Sequence, residues 1–337
     1  MNIFGKILYR LKAETNSMFI VNGTTQQFFA GIGLYFLILY IRIKYRVWFF
    51  IFRNRNKNKR FFKREINGSH MILDSADRGI SRELLYIGRR EHYSTEFIKT
   101  FLAPGDICVD IGSNIGYYAL LESRLIGKNG KIFAIEPSRQ NIKLLNKNIE
   151  INNYSNIVSS RRAVGAKNHS GFLGLSESAN QHSFVNKNLG PSIPVEEVQI
   201  ASLDTFLADK PYPQFVRMDV EGYEGEIVKG MKNILKENKP LKIFIELHCP
   251  LLEDRGKDLL SVLHNAGFVI KAVFKERLGL VMKEGDSIIS LYDFLFRKRF
   301  GLLNNSLANY NIPIDEFIKH LPNELKENVF ELFLERT

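Results

Sequence analysis

The sequence predicts an α/β protein with a mostly parallel sheet and helices on both faces. From about residue 100, short apolar runs alternate with segments whose apolar residues recur at helical spacing. The runs are rich in Val, Ile and Phe and apolar almost throughout, as strands buried on both faces must be. Asp110, Glu136, Asp219 and Glu246 fall at or near the ends of four such runs. They would form one acidic rim along the carboxyl ends of the strands, where open α/β sheets hold their ligands.

In chain order, "DICVDIG" (Asp106 to Gly112) is a strand entering a helix through "YYALLESRLIG", and "GKIFAIEP" (Gly130 to Pro137) enters one marked by Ile142, Leu145 and Ile149. "NIVSSRRAVG" (Asn156 to Gly165) reads as a third strand, and "ESANQHSFVNKN" (Glu177 to Asn188), with Asn180, Gln181, His182 and Ser183, as a polar loop suited to covering a sugar. "QFVRMDVEG" (Gln214 to Gly222) leads into "EGEIVKGMKNILKEN", and "LKIFIELHC" (Leu241 to Cys249) into "GKDLLSVLHNAGF". Asp204 in "SLDTF" reads as an N-cap or turn acid. In the tail, Ile314, Phe317 and Ile318, then Leu325, Val329, Leu332 and Phe333 beyond Pro322, suggest two short amphipathic helices. The expected organisation is an N-terminal apolar and basic helical segment (1–80), an α/β domain (81–298) and a C-terminal helical extension (299–337).

The 337 residues suffice for one full core plus an appendage. The net charge of +11 resides in the first 70 residues, where 13 Lys and Arg face only Glu14 and Glu65; the remainder is neutral, which argues against nucleic acid as the partner of the main body. Cys108 and Cys249 lie in apolar runs and read as buried thiols of a reducing, cytoplasmic compartment.

Phe28 to Ile41 is an uncharged stretch of 14 residues. A spanning helix needs roughly 20, and Arg42, Lys44 and Arg46 interrupt it before "VWFFIF" (Val47 to Phe52). Seven basic residues follow between Arg53 and Arg64. An apolar helix with Trp48 and a polybasic run suits the anionic inner face of a membrane, engaged peripherally through residues 28–64. The alternative is a helix packed on the domain or a partner, followed by a solvated basic linker.

The strand break "VDIGSNIGYYALL" (Val109 to Leu121) narrows the ligand. A dinucleotide fingerprint wants glycine at all three positions of G-x-G-x-x-G, to admit a pyrophosphate. Here Gly112 is followed by Ser113, Asn114 and Gly116, and Asp110 would repel phosphate. S-adenosylmethionine carries a sulfonium, an ammonium, a carboxylate and a ribose diol, but no phosphate. The loop amides and the helix N-terminus can receive its carboxylate, Asp110 and Asn114 suit the ammonium end, and Glu136, followed by Pro137, can accept from both ribose hydroxyls.

"PGDICVDIGSNIGYYAL", "IFAIEPSRQNIKLLNKNIEINN", "ASLDTFL", "FVRMDVEGYEGEIVKGM" and "KIFIELH" resemble, in order and approximate spacing, the FkbM-type S-adenosylmethionine-dependent methyltransferases, over about residues 103–248. Ser113 stands where alanine is common and Arg217 where lysine often precedes "MDVEG". The resemblance implies a Rossmann-like class I methyltransferase fold, S-adenosylmethionine as cofactor, O-methylation of a hydroxyl on a sugar, glycan or natural product, and a place near the active-site rim for Asp204. Nitrogen or carboxyl acceptors, or a catalytically silent tethered domain, are the alternatives.

Methyl transfer to an aliphatic hydroxyl needs a group to take the proton. Asp219, Glu221, Glu224, Glu246 and His248 are the candidates. His248 is the first choice for general base, as a neutral imidazole oriented by Glu246 or Asp219. No spacing demands a metal ion, although Asp219, Glu221 and His248 are the set that would hold one.

Overall fold

A computed structural model describes residue 40 and residues 43–176, 183–185, 194–238, 240–252, 254–274, 313–320 and 329–336. The chain divides into two compact units, one of residues 1–58 and 278–291, the other of 59–277 and 292–337. In the first, residues 43–55 are helical. Asn56 closes the helix by donating from its backbone and side-chain amides to Phe52 O. Tyr40, Ile43, Val47, Phe50 and Ile51 are exposed, and Trp48 stacks on Phe52 with ring centroids 5.0 Å apart. Among the described residues no helix is long and apolar enough to cross a membrane. Most of the apolar stretch 28–41 lies outside them.

The second unit begins inside the basic run. Strands β1 (Phe61–Ile66) and β2 (Ser69–Asp74) form an antiparallel hairpin turned by Asn67 and Gly68, both at positive φ as a two-residue turn of this type requires. Residues 59–80, expected in the N-terminal segment, therefore fall within the unit that holds the α/β sheet. Asn148 docks the hairpin: its Oδ1 accepts from Ile72 N at 2.7 Å and its Nδ2 donates to Ile115 O at 2.9 Å, in the loop of the strand break. Helices α1 (Ile80–Tyr86) and α2 (His92–Phe101) follow.

The central sheet grows outward in both directions from β3 (Ile107–Ile111). First come α3 (Tyr117–Ile126), β4 (Lys131–Ile135), α4 (Arg139–Glu150) and β5 (Ile157–Ser160). The expected third strand breaks after Ser160, and β6 (Ala163–Val164) joins β7 (His169–Gly174), β8 (Ser183–Val185) and β9 (Val195–Ala201) in a small second sheet ordered β6-β9-β7-β8. Of the expected polar loop, only Ser183 to Val185 are described, as β8. After α5 (Leu203–Phe206), the chain returns as β10 (Phe215–Met218) on the other side of β3. It continues through α6 (Glu224–Lys229), α7 (Lys232–Glu237), β11 (Lys242–His248), α8 (Cys249–Leu252), α9 (Arg255–Asn265) and β12 (Phe268–Phe274).

The tail departs from expectation. Ile314–His320 is helical (α10), but Val329–Arg336 is a strand, β13, antiparallel to both β11 and β12 and inserted between them. Phe330, Leu332, Phe333 and Leu334 are all buried. A short run apolar on both faces fits a central strand as well as a helix, and two waiting sheet edges decide the matter. The order is β12-β13-β11-β10-β3-β4-β5, with β13 alone reversed.

Alternation sorts the two faces of the sheet. Val109, Ile111, Val216 and Met218 enter the main aliphatic core. The face bearing Phe244 carries an aromatic cluster in which Phe244 and Phe333 stack with centroids 4.2 Å apart and Phe97 meets Phe333 edge-on at 4.7 Å. Asn148→Ala would leave a buried amide and a buried carbonyl unpaired. We expect it to cost about 2–4 kcal/mol, read as a lower urea midpoint with an unchanged slope.

Candidate active site

The direction of strand addition reverses between β3 and β10, and the crevice at that reversal is where such sheets bind ligands. Gly112 leaves β3 at φ +80°, and a Cβ there would sit 1.9 Å from Asp219 O, so only glycine lets the two strand ends meet. Gly116 opens α3 at φ +97°, against Leu145. A cleft of about 590 Å³, part of it open to solvent, lies above this junction. Gly112, Asn114, Glu136 and Pro137 line one wall, Asp219 and Glu221 another, and Arg162 and Leu173 approach from the side of the small sheet.

The loop amides are largely committed within the protein. Gly112 N and Ser113 N donate to Ile135 O, Gly116 N donates to Ser113 O, and Asn114 N donates to Glu136 Oε2 at 2.8 Å. The expected carboxylate cradle therefore narrows to the first turn of α3. Glu136 Oε1 accepts from Ser138 N at 2.9 Å and Asn141 Nδ2 at 3.3 Å. Burial raises its carboxyl to about 7 despite these donors. Ser113 does not line the cleft; its hydroxyl donates to Asp110 O.

Asp110, expected beside the ammonium of the ligand, is fully buried and lies off the cleft. Its Oδ1 accepts from Arg217 Nη1 at 3.0 Å, while Arg217 Nη2 donates to Asp219 Oδ2 at 3.0 Å. The guanidinium stands 4.1 Å from the centre of the Tyr118 ring. Burial raises Asp110 even so. At Asp219 burial acts in the same direction, but Arg217 and His248 outweigh it and hold the carboxyl below its ordinary range. Glu122 in α3, also fully buried, is pushed well above the carboxylate range by burial and by Asp110. Arg217 entered the sequence reading only as a departure from a family pattern; a cation inside an apolar strand was the signal of this network.

On the far side of the junction, α6, β11 and the turn before α6 bring three acids around one imidazole. His248 Nδ1 meets Glu224 Oε1 at 2.7 Å, and its Nε2 lies 3.4 Å from Glu221 Oε2 and 3.7 Å from Glu246 Oε1. Glu224 Oε1 also accepts from Gly222 N, fixing the turn in which Glu221 sits at φ +52°. Burial lowers His248, but the bond to Glu224 and the surrounding carboxylates raise it to about 9. Burial takes Glu221 to about 7. The expected neutral imidazole base is thus an imidazolium at neutral pH, because its neighbours are acids rather than the single orienting carboxylate anticipated. Asp204 accepts from Asn233 N and Ile234 N and so caps α7, while Ser202 caps α5.

A family model of the methyltransferase FkbM domain matches residues 110–270. The hexuronic acid methyltransferase AglP of Haloferax volcanii is 30% identical over 170 residues, which cover 48% of this chain and 62% of that protein. Among solved structures, Trm5b from Pyrococcus abyssi aligns with 14% identity and a TM-score of 0.40 over 65% of this chain and 52% of its own. TYW2 from M. jannaschii, in complex with AdoMet, aligns with 12% identity and a TM-score of 0.36 over 83% and 88%. Over residues 110–270, just under half of its length, the chain is similar to the methyltransferase FkbM domain, which takes S-adenosylmethionine as methyl donor.

Proposed function

We propose that the protein transfers the methyl group of S-adenosylmethionine to a hydroxyl of a sugar, on a glycan or glycolipid. The observation that carries this is the Asp219, Glu221, Glu246 and His248 cluster beside the donor cleft. Methyl transfer is an in-line displacement: the acceptor oxygen forms a bond to carbon as the carbon–sulfur bond breaks, giving a neutral thioether, and the hydroxyl proton must leave. A rim of carboxylates accepts hydrogen bonds from sugar hydroxyls and offers that proton a destination. The Haloferax volcanii relative, a hexuronic acid methyltransferase, supports a sugar acceptor.

Glu136 is placed at the ribose diol and Asn114 beside it. The first turn of α3 is the place for the methionyl carboxylate. For the helix of residues 43–55, the exposed stripe of Ile43, Val47, Phe50 and Ile51, continued by Arg53, Arg55, Lys57 and Lys59, supports a peripheral station on an anionic membrane surface, where a lipid-linked acceptor would be met.

Calorimetric titration of S-adenosylmethionine tests the donor site. Glu136→Gln loses charge-assisted bonds to the ribose, and its affinity is expected to fall about 10- to 100-fold. The carboxylate is the accepting form and its pKa is raised to about 7, so wild-type affinity should rise with pH up to about 7 and level off above, with a flat profile in the variant. Absence of donor binding by the folded wild type would sink the proposal. With donor and a panel of uronic acid, neutral sugar and amino sugar acceptors, mass spectrometry should find a base-stable methyl ether. Asp219→Asn should lower kcat about 10²-fold or more; a base-labile ester or an N-methyl product would point to the other acceptor classes. In vesicle sedimentation, anionic but not neutral vesicles should bind the wild type, and Phe50→Ser with Ile51→Ser should release it.

A further inference from the structure

We infer that Asp219, Glu221 and His248 form a site for one divalent cation of the Mn²⁺ class. One ligand atom from each lies within 4.8 Å of the others. The three residues come from separate places: the end of β10, the turn that follows, and the last position of β11.

A second observation points the same way. The imidazole is oriented from behind: its Nδ1 is engaged by Glu224, whose side chain is fully buried, and this turns Nε2 towards Glu221 and Glu246. A carboxylate behind the ring is the arrangement that fixes the tautomer and orientation of a metal-binding histidine. Charge adds to this. Of the two guanidinium groups that act on the cluster, Arg217 is shared between Asp219 and Asp110 and Arg90 is paired with Glu83 and Glu91, while Glu221, Glu224 and Glu246 surround a single ring. Buried carboxylates in that excess call for a cation among them.

The donor set selects the metal. Carboxylate oxygens with one imidazole suit Mn²⁺ and its neighbours better than Ca²⁺, which takes oxygen alone, or structural Zn²⁺, which favours thiolate and imidazole. Asp219 and Glu221 line the cleft, so a cation held there would face it, where the proposed acceptor must meet the donor. Two adjacent sugar hydroxyls are the matching ligand. This clamping role rests on the proposed sugar acceptor, whereas binding of the cation does not.

Mn²⁺ titrated into chelator-treated full-length protein, without donor or acceptor, and followed by electron paramagnetic resonance, tests the site. One equivalent of free-ion signal should disappear in the wild type, with Mg²⁺ competing. Glu221→Gln and His248→Ala should weaken binding about tenfold or more, and Glu224→Gln, which touches no metal, about 10- to 100-fold. Calorimetric binding of S-adenosylmethionine certifies each variant as folded and keeps the donor reading separate. Glu221 is partly exposed and keeps the test alive should substitution of buried Glu224 prevent folding. A wild type that binds the donor but no Mn²⁺, or Mn²⁺ binding indifferent to all three substitutions, would overturn the inference and leave the imidazolium as the cation of the cluster.

Discussion

The site hangs on Arg217. It reaches from β10 to Asp110 on β3 with one nitrogen and to Asp219 with another, and so ties together the two strands between which the crevice opens. Removing one partner of such a buried pair typically costs about 3–5 kcal/mol, because the remaining charge has nowhere to go. An apolar trio of the same volume would be as stable, but would not hold Asp219 ionised at the cleft wall. The aromatic ring of Tyr118 beneath the guanidinium and the backbone contact of Gly112 with Asp219 O make the junction rigid as well as charged.

Two carboxyls near this junction are raised to about 7 for reasons that suit different tasks. Glu136 is buried among N–H donors that fix its position before any ligand arrives. Glu221 stands partly open to the cleft, beside His248. A sulfonium entering an acid-lined crevice is attracted to it, and the neutral thioether left after transfer is not.

Much of this was legible in the chain. Parallel strands buried on both faces announce themselves as unbroken apolar runs, and glycines at positions 112 and 116 could be read as sites of close backbone approach. Which side of a strand an acid faces was less legible. Asp110 and Asp219 both lie near strand ends, yet Asp110, just before the last residue of β3, turns into the sheet's aromatic face, whereas Asp219 has left β10 and reaches the rim. The charge of His248 was hidden for a similar reason. Glu246 and Glu221 are near it in sequence or motif, but Glu224 reaches Nδ1 only once α6 has packed against β11.

The strand that the sequence concealed is the one that Glu246 and His248 depend on. β10 pairs with β11 only as far as Ile245, so Glu246, Leu247 and His248 project beyond it. Among the described strands, β13 alone continues the ladder there, setting Glu331 opposite Glu246, Phe330 opposite Leu247 and Val329 opposite His248. Ser94 of α2 donates to Glu331 and secures the buttress from the helical layer. Without that ladder the last three residues of β11 would fray like any unpaired strand end, and the imidazole would lose its register with Glu221 and Glu224. The reversed strand therefore does more than fill the sheet: it extends rigid backbone as far as His248, which a helix in the same segment, with its hydrogen bonds turned inward, would not do.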